Sequence, residues 1–163
     1  MTATPEAPSL SAEEISLRVL KLIDSIKSKQ DFSVEHIYSV IGIRLLPDSV
    51  QPKYSGFTQV ITTEWWYGFT LNSDPKDKKL IFSFDTAAGV AEDVAATPVC
   101  AFDFDHYVNA LKTMGFEGSI VYGEHGRILN WDFYRNGINV QVSYRGESFE
   151  KAKHNCVSAI VIN

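Results

Sequence analysis

Cysteine is scarce in this chain: there are only two in 163 residues, Cys100 and Cys156. They lie far apart, so neither CxxC redox chemistry nor the close spacing of a zinc site is encoded locally. No apolar run approaches the ~20 residues that cross a bilayer. Met1 to Leu10 also lacks the basic start and apolar stretch of a signal peptide. The expectation is a cytoplasmic protein, or a mature form whose leader has been replaced by Met1. No Lys/Arg cluster is present, and the formal charge is −5. That argues against nucleic acid, which needs a positive footprint to displace counterions. The GxSxG elbow, the phosphate-cradling loop, HExxH and the dinucleotide glycine pattern are all missing. The expectation is therefore a protein that binds rather than catalyses, without cofactor or metal.

Aromatic residues, in contrast, are plentiful at 12%, which favours a pleated, half-buried sheet surface. The length suits one domain with a real core. The sequence predicts a flexible segment over 1–10 and a single α+β domain over 11–163. Ser11-Ala12-Glu13-Glu14 is a capping box, followed by Ile15, Val19, Leu22 and Ile26 at helical spacing until Ser28-Lys29-Gln30. Ser33 caps a second, shorter helix on Val34, Ile37, Tyr38 and Ile41, closed by Gly42.

Leu45 to Gly56 carries Pro47 and Pro52 and is expected to be a loop. Ile61, Trp65, Tyr67, Phe69 and Leu71 then share one parity, and Leu80, Phe82 and Phe84 repeat it after Ser73–Asp77. This predicts an antiparallel hairpin with one buried face. Ala87 to Ala96 is expected to be a mobile surface loop. Asp103 or Asp105 caps a third helix on Tyr107, Val108, Leu111 and Met114, ending at Gly115-Phe116.

The C-terminal third fixes a register. Asn136-Gly137 is a type I′ turn that pairs Phe133 with Val140, Trp131 with Val142 and Leu129 with Tyr144. A reversal at His125-Gly126 pairs Tyr122 with Leu129 and Ile120 with Trp131. The two turns agree on a meander whose other face carries Asn130, Asp132, Tyr134, Asn139, Gln141, Ser143 and Arg145. Cys156 to Ile162 closes the fold as a strand covered on both faces. The predicted architecture is an antiparallel sheet, hairpin plus C-terminal meander, with two N-terminal helices and one mid-chain helix packed on it.

Four sites invite a chemical reading. Asp103, Asp105 and His106 offer metal ligands, but helix capping accounts for the same residues. Glu124 and His125 form an acid/base pair on paper, whereas flanking glycines and an ion pair with Arg127 describe a plain hairpin tip. Trp65 and Trp66 point to opposite faces of a strand, so Trp66 is either covered by a helix or exposed as an interface anchor. Cys100 and Cys156 are either two core thiols or one disulfide tying the last strand to the segment before the third helix. A disulfide implies an oxidising compartment.

The assembled pattern resembles small α+β immunity proteins that bacteria make against antibacterial effectors of type VI or type IV secretion systems. The features are the capped first helix, the Gly42 helix end, the Trp65-Trp66-Tyr67 strand, and Pro98-Val99-Cys100 before a helix ending Met114-Gly115-Phe116. The hairpin from Gly123-Glu124-His125-Gly126 to Trp131-Asp132-Phe133 and the terminal Cys156 strand complete it. The resemblance implies stoichiometric neutralisation of a cognate toxin, no enzymatic activity, and a periplasmic setting where a leader has been removed. That setting suits a Cys100–Cys156 disulfide. The partner surface it implies combines Glu124, His125, Arg127, Asn130, Asp132, Tyr134, Gln141 and Arg145 with the acidic 85–93 loop. Two alternatives stand beside it: a small-ligand module with a pocket lined by Trp65, Tyr67, Trp131 and Tyr144, and a cytoplasmic secretion chaperone or adaptor.

Overall fold

A computed structural model describes residues 9–163. The Ser11 hydroxyl accepts the Glu14 backbone N–H at 3.1 Å and opens helix α1, Ala12–Ser25. The complete reciprocal box forms later, between Ser28 and Asp31, where the sequence predicts the helix to stop. Ser33 caps α2, Val34–Ile41, and Asp103 caps α3, Phe104–Thr113, each by accepting the backbone N–H of residue 36 or 106. Gly42 and Gly115 take the left-handed backbone expected at helix ends, with φ of 75° and 91°. Of the segment expected to be flexible, residues 1–8 lie outside the described residues. Leu10 is buried in the core, and its N–H donates to Gln59 Oε1 at 3.3 Å.

Eight antiparallel strands form one sheet: β1 Leu46–Pro47, β2 Tyr54–Val60, β3 Trp65–Asn72, β4 Lys79–Thr86, β5 Glu117–Tyr122, β6 Ile128–Arg135, β7 Ile138–Gly146 and β8 Asn155–Ile162. Their order is β1-β2-β3-β4-β8-β7-β6-β5, so the hairpin and the meander meet at β8. The α+β class, the two N-terminal helices, the mid-chain helix and the C-terminal meander are as the sequence predicts. Asn136 and Gly137 both have positive φ, 48° and 82°, as a type I′ turn requires. Phe133 pairs with Val140 and Trp131 with Val142.

Four details differ from the expectation. Strand β8 is central but covered on one face only, with Ala159 and Val161 half-exposed on the other. The stretch expected to be a loop up to Gly56 already contains β1 and the start of β2. The alternation that runs from Ile61 into β3 is broken by a reversal, because Thr62 Oγ1 accepts the N–H groups of Glu64 and Trp65 and turns the chain. In the meander, a bulge between Val121 and Tyr122 pairs Tyr122 with Ile128 instead of Leu129.

The sheet's inner face contributes Tyr67, Phe69, Leu71, Phe82, Phe84, Phe133, Val140, Val142, Ile160 and Ile162 to one continuous core. Helix α1 buries Ile15, Ser16, Val19, Leu20, Leu22 and Ile23, a wider stripe than its sequence period suggests. The extra width is explained by α2, which packs beside it: Arg18 Nη1 of α1 donates to the Ile41 carbonyl at 2.7 Å. Arg135 fastens the helix ends to the meander. It bonds Asp24 Oδ1 at 2.9 Å and the Met114 carbonyl at 3.0 Å, and lies over the Phe116 ring at 4.4 Å. No helix of the described residues is long and apolar enough to cross a membrane.

Candidate functional site

The meander delivers its polar side chains to the face away from the helices. Tyr134 lies opposite Asn139 and Glu117, Asp132 opposite Gln141 and Ser119, and Asn130 opposite Val121. The same face continues through Val161, Ile81, Ser83 and Asp85 to Trp66 and Thr70. Most of these residues are half-exposed or exposed, whereas their inner neighbours are almost fully buried. No described helix covers this face. Trp66 therefore sits on the open side, its Nε1–H satisfied by the Thr86 carbonyl at 3.2 Å. Thr58, Gln59, Val60 and Trp66 line a cavity of about 260 Å³ there.

At one end of the face stands the β5–β6 reversal. Glu124–Gly126 form a single 3₁₀ turn in which His125 adopts a left-handed backbone, φ 58°. The Gly123 N–H donates to the Arg127 carbonyl at 2.7 Å and closes the loop. Glu124, His125 and Arg127 are exposed, and no ion pair joins Glu124 to Arg127 among the described residues. Next to the register slip Leu129 is 53% exposed, beside Tyr122 at 60%. Leu129 leans on Gly123, where an added Cβ would stand 2.9 Å from its Cδ2. Tyr134, 58% exposed, stands on the open face at the other end of the hairpin, opposite Glu117. Alternation alone predicts Tyr122 and Leu129 inside, and no turn residue signals the bulge beside them or their exposure at the end of the sheet.

Two residues expected on the partner surface are engaged within the chain. Asn130 is buried, and its amide donates to Asp132 Oδ1 at 2.8 Å. Arg145 Nη2 donates to the Val94 carbonyl at 2.9 Å, with its guanidinium 5.5 Å from the Trp65 ring centre. Together with Trp65 Nε1 on the Ala95 carbonyl and the Ala96 N–H on the Glu147 carbonyl, it ties down the end of the 87–96 loop.

A second cluster lies where that loop meets α3 and β8, and sequence separation hides it. Cys100 and Cys156 are joined by a disulfide, their Cα atoms 4.9 Å apart. His154 Nδ1 lies 3.8 Å from Cys100 Sγ, and His154 Nε2 is 2.8 Å from Asp103 Oδ2. Asp103 Oδ1 accepts the His106 backbone N–H at 3.0 Å and lies 2.6 Å from His106 Nδ1. Asp103 is thus the helix cap, Asp105 is exposed, and His106 turns back onto the cap. Glu147, buried beside His154, brings Oε1 to 3.6 Å from Nδ1, and Lys151 Nζ lies 3.5 Å from its Oε2.

Burial alone would raise the Asp103 carboxyl, but hydrogen bonds from His154, the His106 backbone and the His106 ring outweigh it and hold it at about 2. The Asp103 hydrogen bond in turn raises His154 against its desolvation, with Glu147 adding to the rise. Asp103 therefore stabilises the fold above the ordinary carboxylate value of ~4 and stops doing so as pH falls toward 2. His154 contributes fully below its ordinary value of ~6.5, and its contribution is lost as pH rises through its raised folded value. The expected result is a stability maximum between about pH 4 and 6.5 for this cluster. In urea denaturation across pH, Asp103→Asn, which still caps a helix, should flatten both limbs of that profile.

The four aromatics that a ligand pocket would need fill space instead. Trp65 and Tyr67 are buried in the core, while Tyr144 and Trp131 pack on Phe104 with ring centres 4.6 and 5.9 Å away. No protein-family model, curated protein or solved structure matches this chain.

Proposed function

We propose that this chain is a protein-binding inhibitor: an immunity protein that holds and neutralises a secreted antibacterial toxin, without catalysis of its own. The observation that carries the reading is the exposure of three large side chains on the β5–β6 hairpin, Tyr122 and Leu129 beside its tip and Tyr134 at its other end on the uncovered face, each more than half exposed. Exposed tyrosines on a rigid sheet supply large contact area at small entropic cost and are favoured interface anchors. Glu117, Glu124 and Asp132 lie on the same hairpin as these side chains, and the net charge is −5. The surface therefore suits a basic partner, whose approach it would accelerate. A disulfide persists where conditions are oxidising, which favours action in the bacterial periplasm.

The test begins with tagged protein recovered from its native bacterium and the species that stays bound in equimolar amount. That species should be a toxin whose killing is abolished by co-expression of this chain. A Tyr122→Ala/Leu129→Ala/Tyr134→Ala variant should remain folded and lose protection. Anchors of this kind cost about 2 kcal/mol or more each when truncated, so affinity should fall at least ~100-fold. Unchanged affinity in the variant, or recovery of export machinery with no toxin, would replace the reading with a different surface or with the chaperone role.

A further inference from the structure

The disulfide corner is built from more than a disulfide needs. Cys100 Sγ, Cys156 Sγ and a ring nitrogen of His154 all lie within 4.8 Å of one another. The far side of the imidazole is held by Asp103, whose Oδ2 is 2.8 Å from Nε2. In the neutral ring a carboxylate there keeps the proton on Nε2 and leaves the Nδ1 lone pair facing the sulfurs, the arrangement that readies a histidine for a metal. On the Nδ1 side stands Glu147, buried, with Oε1 3.6 Å from that nitrogen. Its Oε2 is also buried and makes no hydrogen bond, having only the Lys151 ammonium 3.5 Å away. Two sulfurs and an oriented imidazole, with a buried, partly unsatisfied carboxylate beside the same ring nitrogen, point to a ligand set.

We propose that reduction of the Cys100–Cys156 bond converts this corner into a site for a zinc-class divalent cation, held by both thiolates and His154 Nδ1 with Glu147 in the fourth position. Reduction takes two electrons and two protons from a dithiol, which becomes a disulfide and leaves two thiols here. The cation then displaces to solvent the two thiol protons and, where the His154 ring is charged, its Nδ1 proton. Zinc–sulfur and zinc–nitrogen bonds of about 2.3 and 2.0–2.1 Å in a tetrahedron place S and N about 3.6 Å apart. The 3.8 Å between Cys100 Sγ and His154 Nδ1 already meets that spacing. The two sulfurs, once unbonded, need to separate to about 3.8 Å, a side-chain rotation rather than a backbone movement. The same residues would thus close the loop by a covalent bond under oxidising conditions and by a cation under reducing ones, so the chain keeps a cross-link at this point in either compartment.

The experiment uses the full chain, reduced with a water-soluble phosphine or left oxidised, and titrated with zinc and with cobalt as its spectroscopic stand-in. The reduced chain should bind one cation, with cobalt giving thiolate charge-transfer and tetrahedral visible bands. The oxidised chain should bind none. His154→Ala and Glu147→Gln should each weaken binding by about tenfold or more, and both can be checked for a native near-ultraviolet signal in the oxidised form before reduction. If reduction alone loosens the fold, zinc should restore the near-ultraviolet signal. Equal zinc uptake by oxidised and reduced chains, unaltered affinity in His154→Ala, or a reduced chain left unfolded by zinc would each overturn the proposal.

Discussion

Removal of residues 155–163 is expected to leave a chain that does not fold, even though most of the sequence remains. Strand β8 lies between β4 and β7 and is the only bridge between the β1–β4 half of the sheet and the β5–β7 half. It pairs Ala159–Ile162 with Leu80–Ser83 on one side, and with β7 along its length on the other. Deleting it leaves two open edges in mid-sheet, each with a row of unpaired backbone groups. It also removes Cys156, Val157, Ile160 and Ile162, all essentially buried. At about 1.5–3 kcal/mol for each buried apolar side chain, that loss approaches the ~5–15 kcal/mol net stability of a whole domain. Circular dichroism and denaturant titration should show no cooperative transition in the truncated chain. The single substitution Ile160→Ala is the graded version and should keep the fold while costing about 2–5 kcal/mol. A truncated chain with a native-like transition would mean that the two halves are joined by something other than β8.

How much of this could be read in advance depended on whether the determining interaction was local. Ser33, Asp103, Gly42 and Gly115 mark helix ends through bonds that span only a few residues, and the structure makes each of them. Asn136-Gly137 sets the β6–β7 register because its positive φ values permit one tight turn. The Thr62 turn eluded the pattern because Ile61-Thr62-Thr63-Glu64 carries no Gly, Pro or Asn, and its reversal is held by the Thr62 hydroxyl and by the Ile61 and Thr62 N–H groups on the Trp65 carbonyl. Strand β2 was hidden by the prolines at 47 and 52, which mark the connection before it rather than the strand. For the candidate surface, the polar parity of β6 and β7 was legible. The exposure of Tyr122 and Leu129 was not, because their pairing is broken by a bulge that no turn residue signals. The corner of Cys100, Asp103, Glu147 and His154 had no local sign at all. Only the path of the chain over α3 and into β8 brings those groups together.

Replacing both cysteines in Cys100→Ser/Cys156→Ser is expected to cost about 4 kcal/mol, from the loop-closure entropy returned to the unfolded chain by a bond spanning 56 residues. For a domain of this size that corresponds to a fall in melting temperature of about 8–16 °C. The strain-free part of the effect should be large here, since the bond joins two elements already fixed by other contacts. Cys100 follows a short turn anchored through Ala96 and Glu147, and Cys156 lies within β8 opposite Arg145. Reductant alone should lower the wild-type melting temperature by a comparable amount and leave the double variant unmoved, which separates the bond from any packing change caused by serine. A wild type indifferent to reductant would mean that the thiols are free in solution, and would shift the functional reading toward a cytoplasmic chaperone. Zinc supplies the further discrimination. If the reduced corner binds a cation, saturation a hundredfold above the dissociation constant should return about 2.7 kcal/mol to the reduced wild type. The serine variant should gain nothing, because the two thiolates that would hold the metal are the ones that formed the bond.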